Sequence, residues 1–227
     1  MSGRNEMGRT LLSGTGIITS ILLAFAIDAA WDARSEKLAE ADMIESLRDD
    51  FVANLASIDD LLREHQWADS TLRAAFEAPQ PETDEQAEAL VEGFALGMLV
   101  GDLIDLRTGT LEMLLNSGRL DLVSDPDLRG LLWSWKSEAE DLSDDNLMLQ
   151  ANARETRAVL GRLGLRGLNR DLSPPWSEQV SRLKSSVEVS VHARTVIVDR
   201  LGYQEELMAL RETTELALQR ITAIRGH

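Results

Sequence analysis

Histidines and carboxylates are the side chains that could do chemistry in this chain, and their spacing matches no catalytic or metal-binding motif. The three histidines, His65, His192 and His227, lie far apart in the sequence. Metal sites on helices need ligands one turn apart, as in a His-x-x-x-His or Glu-x-x-His pair. Glu188 and His192 have a four-residue spacing, but one such pair in a polar stretch is expected by chance. The sequence therefore predicts no metal ligand and no catalytic histidine.

Glycine segments that could bind a phosphate are incomplete. Gly14 and Gly16 are not preceded by a strand pattern, and an apolar run follows them. Gly161, Gly164 and Gly167 lack the lysine and the serine or threonine of a phosphate loop. A Gly-x-Ser-x-Gly nucleophile motif is also missing from the sequence. We therefore expect no enzyme, no catalytic residue and no cofactor; the remaining enzymatic alternative would use carboxylates in a helical core.

The composition excludes nucleic acid as a partner and favours helices. The chain has 227 residues, with 23 basic and 39 acidic side chains and a net charge of −16. The first 27 residues hold Arg4 and Arg9 against Glu6, a net +1, so residues 28–227 carry −17. A body with this net charge repels nucleic acid, because proteins bind nucleic-acid phosphates through lysine and arginine. The chain has no cysteine and five prolines, and it is rich in leucine, alanine and glutamate, which is typical of all-α proteins.

An uncharged run near the N-terminus predicts a membrane anchor. Residues 10–27 contain no charged side chain, and as a helix they span about 27 Å, close to the thickness of a bilayer core. Arg9 precedes the run, whereas Asp28, Trp31 and Asp32 follow it. An aromatic ring just beyond an apolar segment is typical of the membrane–water interface. We therefore predict a transmembrane anchor with these four residues at the interface and the lipid bilayer as a partner.

The anchor divides the chain into three predicted parts. Residues 1–9 form a short cytoplasmic N-terminus, residues 10–30 the anchor, and residues 31–227 an acidic helical bundle domain in the periplasm. This single-pass orientation in a bacterial inner membrane follows from the arginines before the run. The small-x-small triplet at 24–26 leaves a cleaved signal peptide as one alternative, and a buried soluble helix is another. The absence of glycine and proline from 17 to 78 favours an uninterrupted helix over cleavage.

Hydrophobic periodicity predicts the fold class. The class is all-α, with one N-terminal transmembrane helix that continues into a long-helix antiparallel bundle with coiled-coil-like seams. The first helix should end before Pro79, the second should begin near Thr83 or Asp84, and another should begin at Ser124 or Asp125. Two heptad seams run through residues 128–163, with Asn146 inside the seam, and through residues 203–224. Residues 161–176 read as a loop, and the alternating segment 186–191 as a short strand.

Two groups of residues are candidates for contacts with a partner. The glycines at a four-residue spacing, which let two helix backbones approach closely, are Gly93, Gly97 and Gly101. The arginines selected from the local basic cluster are Arg162, Arg166 and Arg170. Each group has an alternative interpretation within the chain, since the glycines could pack on another helix of the same bundle. The arginines could likewise pair with the chain's own acids.

Three segments resemble an uncharacterised bacterial family of single-span, helix-rich membrane proteins. They are "SILLAFAIDAAWDARSE", "LRDDFVANLASIDDL" and "LEMLLNSGRLDLVSDPDLRGLLWSW". The resemblance covers most of residues 15–135, with Asp28, Trp31, Asn54, Ser117 and Gly118 as the matching positions. It weakens in the C-terminal third. The family has no assigned activity, so the resemblance implies an anchor and a helical body only.

These observations predict an interaction protein. We expect a membrane-anchored accessory or structural subunit that docks on a larger integral membrane complex, for example a respiratory or photosynthetic one. The partner would be an integral membrane protein or further copies of this chain. The alternative is a periplasmic helical bundle that senses or binds a ligand.

Overall fold

The computed structural model describes residues 3–100, 104–164 and 175–225, with side chains from residue 22 to residue 224. Its helices are α1 (Gly3–Glu77), α2 (Asp84–Leu99), α3 (Gly109–Asn116), α4 (Pro126–Arg162), α5 (Trp176–Ser185) and α6 (Val187–Arg225), with a short 3-10 turn at Leu120–Leu122. These described ranges contain no strand. The all-α prediction is confirmed.

Three long helices form the body of the bundle. The α6 helix runs antiparallel to α1, since Arg211 pairs with Asp59 whereas Arg200, earlier in α6, pairs with Asp69 further along α1. It is also antiparallel to α4, because Trp135 Nε1 donates to Thr214 near the start of α4 and Asn152 donates to Asp199 near its end. The predicted antiparallel packing of long helices is confirmed.

The hydrophobic core falls into two clusters along the bundle. The larger one joins α1, α3, α4 and α6 around the rings of Phe51 and Trp135, whose centroids are 4.9 Å apart. The smaller one joins α1 and α2 with the end of α4, α5 and the start of α6, and includes Leu72, Phe94 and Leu183. The seam predicted on α6 is buried from Tyr203 to Ile221. The leucines of the α4 seam are buried at 128, 132, 142, 149 and 160.

Side chains cap two helices at the predicted positions. The Thr83 hydroxyl accepts from the Gln86 amide, and the Gln86 side chain accepts from the Glu82 amide, so two free N–H groups at the start of α2 are bonded. Asp125 caps α4 by accepting from the amides of Asp127 and Leu128. Each cap contributes about 1 kcal/mol. The predicted starts of α2 and α4 are confirmed.

The predictions for residues 161–191 need correction. The strand predicted at 186–191 is wrong, because these residues are helical from Val187 and the Ser186 hydroxyl accepts from the Val189 amide at the first turn. Val189 and Ala193 are buried four residues apart, a helical spacing that outweighs the local alternation of valines. Of the loop predicted at 161–176, residues 161 and 162 still belong to α4, and residue 176 begins α5. Residues 165–174 lie outside the described part of the chain.

The structure tests only part of the predicted membrane span. Across the described residues, no helix contains a segment both long and apolar enough to cross a membrane. Residues 10–21, the larger part of the span predicted at 10–30, have side chains outside the described set, as does Arg9. The backbone of α1 is helical through the whole predicted span.

Candidate functional site: the exposed extension of α1

The start of α1 projects beyond the bundle. Residues 22–38, which we call the α1 extension, are all exposed, and the buried stripe of α1 begins at Ile44. The large apolar side chains in it are 58–71% exposed and are Leu22, Leu23, Phe25, Ile27, Trp31 and Leu38. At 100° per residue, Leu22, Leu23 and Phe25 point to three different sides of the helix, and Ile27 lies one turn after Leu23 on the same side. The bundle therefore leaves apolar surface uncovered around much of the helix circumference.

Three of the four predicted interface residues lie on this extension without a break in the helix. Asp28 and Asp32 are one turn apart and exposed, and Trp31 lies between them with 71% of its surface exposed. The α1 helix is continuous from residue 3 to residue 77, a length of about 110 Å. The helix thus continues through Asp28, and only its side chains change there from apolar to charged.

The glycine motif packs inside the chain. A Cβ atom built on Gly97 would lie 2.6 Å from Cβ and 2.9 Å from Cα of Leu72 on α1. One built on Gly93 would lie 3.5 Å from Cβ of Ala75, an ordinary van der Waals distance. Both glycines therefore face α1 of the same chain, as the intramolecular alternative predicted. This packing leaves Gly97 no room for a partner. Gly101 lies outside the described residues.

Of the three candidate arginines, Arg162 lies in the described part of the chain. Its guanidinium donates to Glu188 at 2.6 Å and to Glu155 at 2.8 Å. All three side chains are about half exposed, so solvent screening leaves each ion pair a small contribution to stability. Arg162 therefore pairs with the chain's own acids, as the alternative interpretation predicted. Arg166 and Arg170 lie outside the described residues.

A buried arginine joins three helices at the centre of the molecule. The Arg200 side chain on α6 is 1% exposed and contacts Asp69 of α1 at 2.6 Å. It also donates to the carbonyl oxygens of Gly97 at 2.9 Å and Val100 at 2.7 Å, at the end of α2. Gln204 donates to the second oxygen of Asp69 at 3.0 Å. The cation thus bonds the last carbonyls of α2, where the helix dipole favours a positive charge.

Tyr203 connects this buried polar group to α4, and we call Asp69, Arg200, Gln204 and Tyr203 the polar layer. Its hydroxyl donates to Oδ1 of Asn146 at 2.8 Å, and the amide of Ile104 approaches the same hydroxyl oxygen at 3.4 Å. Burial raises the pKa of Tyr203 to about 12, so the hydroxyl stays protonated. The His65 ring lies 5.4 Å from the Tyr203 ring. Asn146, the polar residue predicted inside the α4 seam, thus bonds to α6, where such a residue can fix the register of two helices.

Asn54 holds the segment before α3 against α1. Its side-chain amide donates to the Arg107 carbonyl at 3.0 Å and accepts from the Arg107 amide at 2.7 Å. This segment closes one side of a half-open cavity of about 250 Å³, lined also by Trp135 and Lys136 of α4. The volume is below the 300 Å³ or more that is usual for a small-molecule site. The described residues contain no cluster of three or more potential metal ligands.

Two partly buried carboxyls at the contact between α4 and α6 have raised pKa values. Burial raises the pKa of Glu206, and the neighbouring carboxyl of Asp145 raises it further. Burial also raises the pKa of Glu138, partly offset by the Thr213 hydroxyl, which donates to it at 3.0 Å. A carboxyl whose pKa is raised on folding stabilises the fold below its unfolded pKa of about 4.5. That contribution is lost as the pH rises through the folded pKa.

Glu206→Gln is therefore expected to raise the thermal midpoint at pH 7, because the amide replaces a repelled carboxylate. Glu206 is partly exposed, so the rise should be small, about 1–2 °C. It should vanish at pH 4, where the wild-type carboxyl is protonated. Melting curves at both pH values check this, with the exposed Asp144→Asn on α4 as a control that should show no such difference. A fall in the midpoint at pH 7 would contradict the assignment.

A comparison of the chain with protein-family models, with curated proteins and with solved structures found no match.

Proposed function

We propose that the chain is a membrane-anchored helical interaction protein. Residues 10–30 hold it in a bilayer, and the acidic bundle serves as an accessory or structural subunit that docks on a larger integral membrane complex. The α1 extension is the observation that carries this proposal, because it exposes large apolar side chains on several sides of one helix. The body would hold its docking surfaces at a fixed height above the membrane.

The distribution of apolar side chains favours lipid over a protein partner as the cover of this helix. A docked protein covers one face of a helix and needs apolar residues at a spacing of three and four. On the extension, Leu23, Ile27 and Trp31 have such a spacing, but Leu22 and Phe25 lie on other sides of the helix and would stay uncovered. Hydrocarbon surrounds a helix completely. Each Å² of apolar surface that it removes from water lowers the free energy by about 25 cal/mol. Residues 10–21, which precede the extension, are uncharged, as are its first six residues, 22–27.

The location that we propose is a bacterial inner membrane, with the N-terminus in the cytoplasm and the body in the periplasm. Arg4 and Arg9 precede the uncharged run, and arginine is retained on the cytoplasmic side. The strongly acidic body is repelled by anionic lipid. The uninterrupted α1 supports a rigid connection between anchor and body. A respiratory or photosynthetic complex is one setting for the docking.

A ligand-binding or sensing bundle is the second candidate. The cavity beside Trp135 supports it, but this cavity is small and half open, and its lysine bonds to Glu140. The anchored interaction protein therefore takes precedence.

A double substitution in the extension tests the anchor. Leu23→Asp with Phe25→Asp is expected to move most of the chain from the membrane fraction to the soluble fraction, because each charge costs about 3 kcal/mol inside a bilayer. Trp67→Asp, which changes an exposed tryptophan on the bundle, is the matched control and should stay in the membrane fraction. A C-terminal alkaline phosphatase fusion reports the orientation and should be active on the wild-type chain. A soluble wild-type chain would contradict the anchor, and an anchored but inactive fusion would contradict the orientation.

A further inference from the structure

The α6 helix is apolar on two opposite faces. Its inner face carries the buried seam that includes Tyr203, Leu207 and Leu210. Its outer face carries a second set of large apolar side chains, all 43–77% exposed, which we call the outer stripe: Val187, Val191, Val198, Leu201, Met208 and Leu216. At 3.6 residues per turn, these six fall within about 100° of the circumference, opposite the inner seam. Scattered exposed apolar residues need no explanation, but a continuous stripe marks an interaction surface.

Charged side chains divide the outer stripe unevenly. Arg194, near its N-terminal end, lies on the same side of the helix as Glu212, near its C-terminal end, because the two are five turns apart. Both are exposed. Glu205 lies between them on the same face. The stripe therefore has a positive end and a negative end on an apolar background.

The charges at the two ends of this stripe are complementary in one orientation, whereas Glu205 of the two copies would lie close together beside the axis. If two outer stripes pack antiparallel about a two-fold axis at position 203, Arg194 lies opposite Glu212 of the partner subunit, and Val191 lies opposite Leu216 of the partner subunit. A parallel two-fold pair would instead place Arg194 against the same residue of the other copy, and likewise Glu212. Like charges facing each other weaken such a contact. An isologous contact of this kind closes after two copies.

We propose that the outer stripe of α6 is the interface of an antiparallel homodimer. The stripe is about 45 Å long and one helix wide, which gives roughly 450 Å² per subunit, about half of a standard interface. The pairing should therefore be reversible, with micromolar affinity in solution.

The dimer has a consequence that rests on the proposed membrane anchor. Because the two copies are antiparallel, their α1 extensions project from opposite ends of the pair. His65 of α1 lies beside Tyr203 at the dimer axis, and Asp28 lies about 55 Å before it along α1. Two anchored copies would therefore join facing bilayers about 110 Å apart. Copies in one bilayer could not pair in this way.

Charge reversal tests the interface in the full-length chain in mild detergent, with the mass measured by light scattering at increasing protein concentration. Wild-type protein should form dimers. Arg194→Glu alone and Glu212→Arg alone should each weaken the dimer about tenfold or more, and the double variant should restore it. Arg157→Glu, an exposed arginine on α4, is the matched control and should dimerise like wild type. A wild type that stays monomeric at about 100 μM, roughly a hundredfold above a micromolar Kd, would overturn the proposal, as would a failure of the double variant to recover.

Cross-linking tests the orientation without background, because the chain has no cysteine. Mixed Val191→Cys and Leu216→Cys proteins should cross-link to each other, and each alone should not cross-link to itself. Self-cross-linking of both would show a parallel pair and overturn the proposal. Arg194→Glu should still bind vesicles of neutral phospholipid as wild type does, so a failed anchor and a failed dimer give different results.

Discussion

Replacing Asp69 with alanine is expected to destabilise the bundle by about 3–5 kcal/mol, because it leaves the buried Arg200 without a counter-charge. The Arg200 side chain is 1% exposed, and water cannot replace the lost carboxylate without opening the contact between α1, α2 and α6. Gln204 would lose its acceptor at the same time. Urea denaturation of both proteins, followed by circular dichroism, measures the difference in free energy of unfolding.

Two matched variants separate burial from charge pairing. Asp59→Ala removes a carboxylate that pairs with Arg211 at the same 2.6 Å distance but with both side chains about a third or more exposed. Its cost should therefore be small compared with that of Asp69→Ala. Asp69→Leu combined with Arg200→Met removes both buried charges and should recover much of the stability. Equal losses for Asp69→Ala and Asp59→Ala would contradict the central role of the buried pair.

Gly97→Ala is expected to cost up to about 2 kcal/mol, although alanine favours helices. The added Cβ would lie 2.6 Å from Cβ and 2.9 Å from Cα of Leu72, so the backbones of α1 and α2 would have to move apart. Such overpacking costs about 1–3 kcal/mol, and the gain in helix propensity of about 1 kcal/mol offsets only part of it. Separation of the helices would also stretch the bonds from Arg200 to the end of α2.

Gly93→Ala, one turn earlier on the same face of α2, is the matched control. Its Cβ would meet Ala75 at 3.5 Å, so the substitution should be neutral or slightly stabilising. The measurement is the same urea denaturation. A stable Gly97→Ala protein together with an unstable Gly93→Ala protein would show that the closest approach of the two helices lies elsewhere.

The sequence was sufficient for the features that depend on local chemistry and periodicity. The caps at Thr83 and Asp125 were predicted because a short polar side chain before an apolar run bonds free amides of the first turn. The α6 seam was predicted because its spacing holds from Tyr203 to the end of the helix. The strand at 186–191 was a wrong prediction, since three alternating valines over six residues carry less information than the helical burial that follows them.

The polar layer could not be predicted because it depends on which helices meet. Arg200 occupies an inner position of α6, where a buried cation is rare, and nothing in the neighbouring residues indicates Asp69, which lies 131 positions away. The glycine spacing did indicate a close helix contact, but only the packing shows that Leu72 is the neighbour. The outer stripe was missed because α6 is apolar on both faces, and the inner seam alone explained the pattern.

Flotation of the purified wild-type chain with phospholipid vesicles on a density gradient tests the membrane anchor most directly. Washing in sodium carbonate removes proteins that bind only by charge. The anchored protein should rise with the vesicles after this wash, because apolar burial of residues 10–30 does not depend on charge. A chain that stays at the bottom of the gradient, or leaves the vesicles in carbonate, would contradict the account.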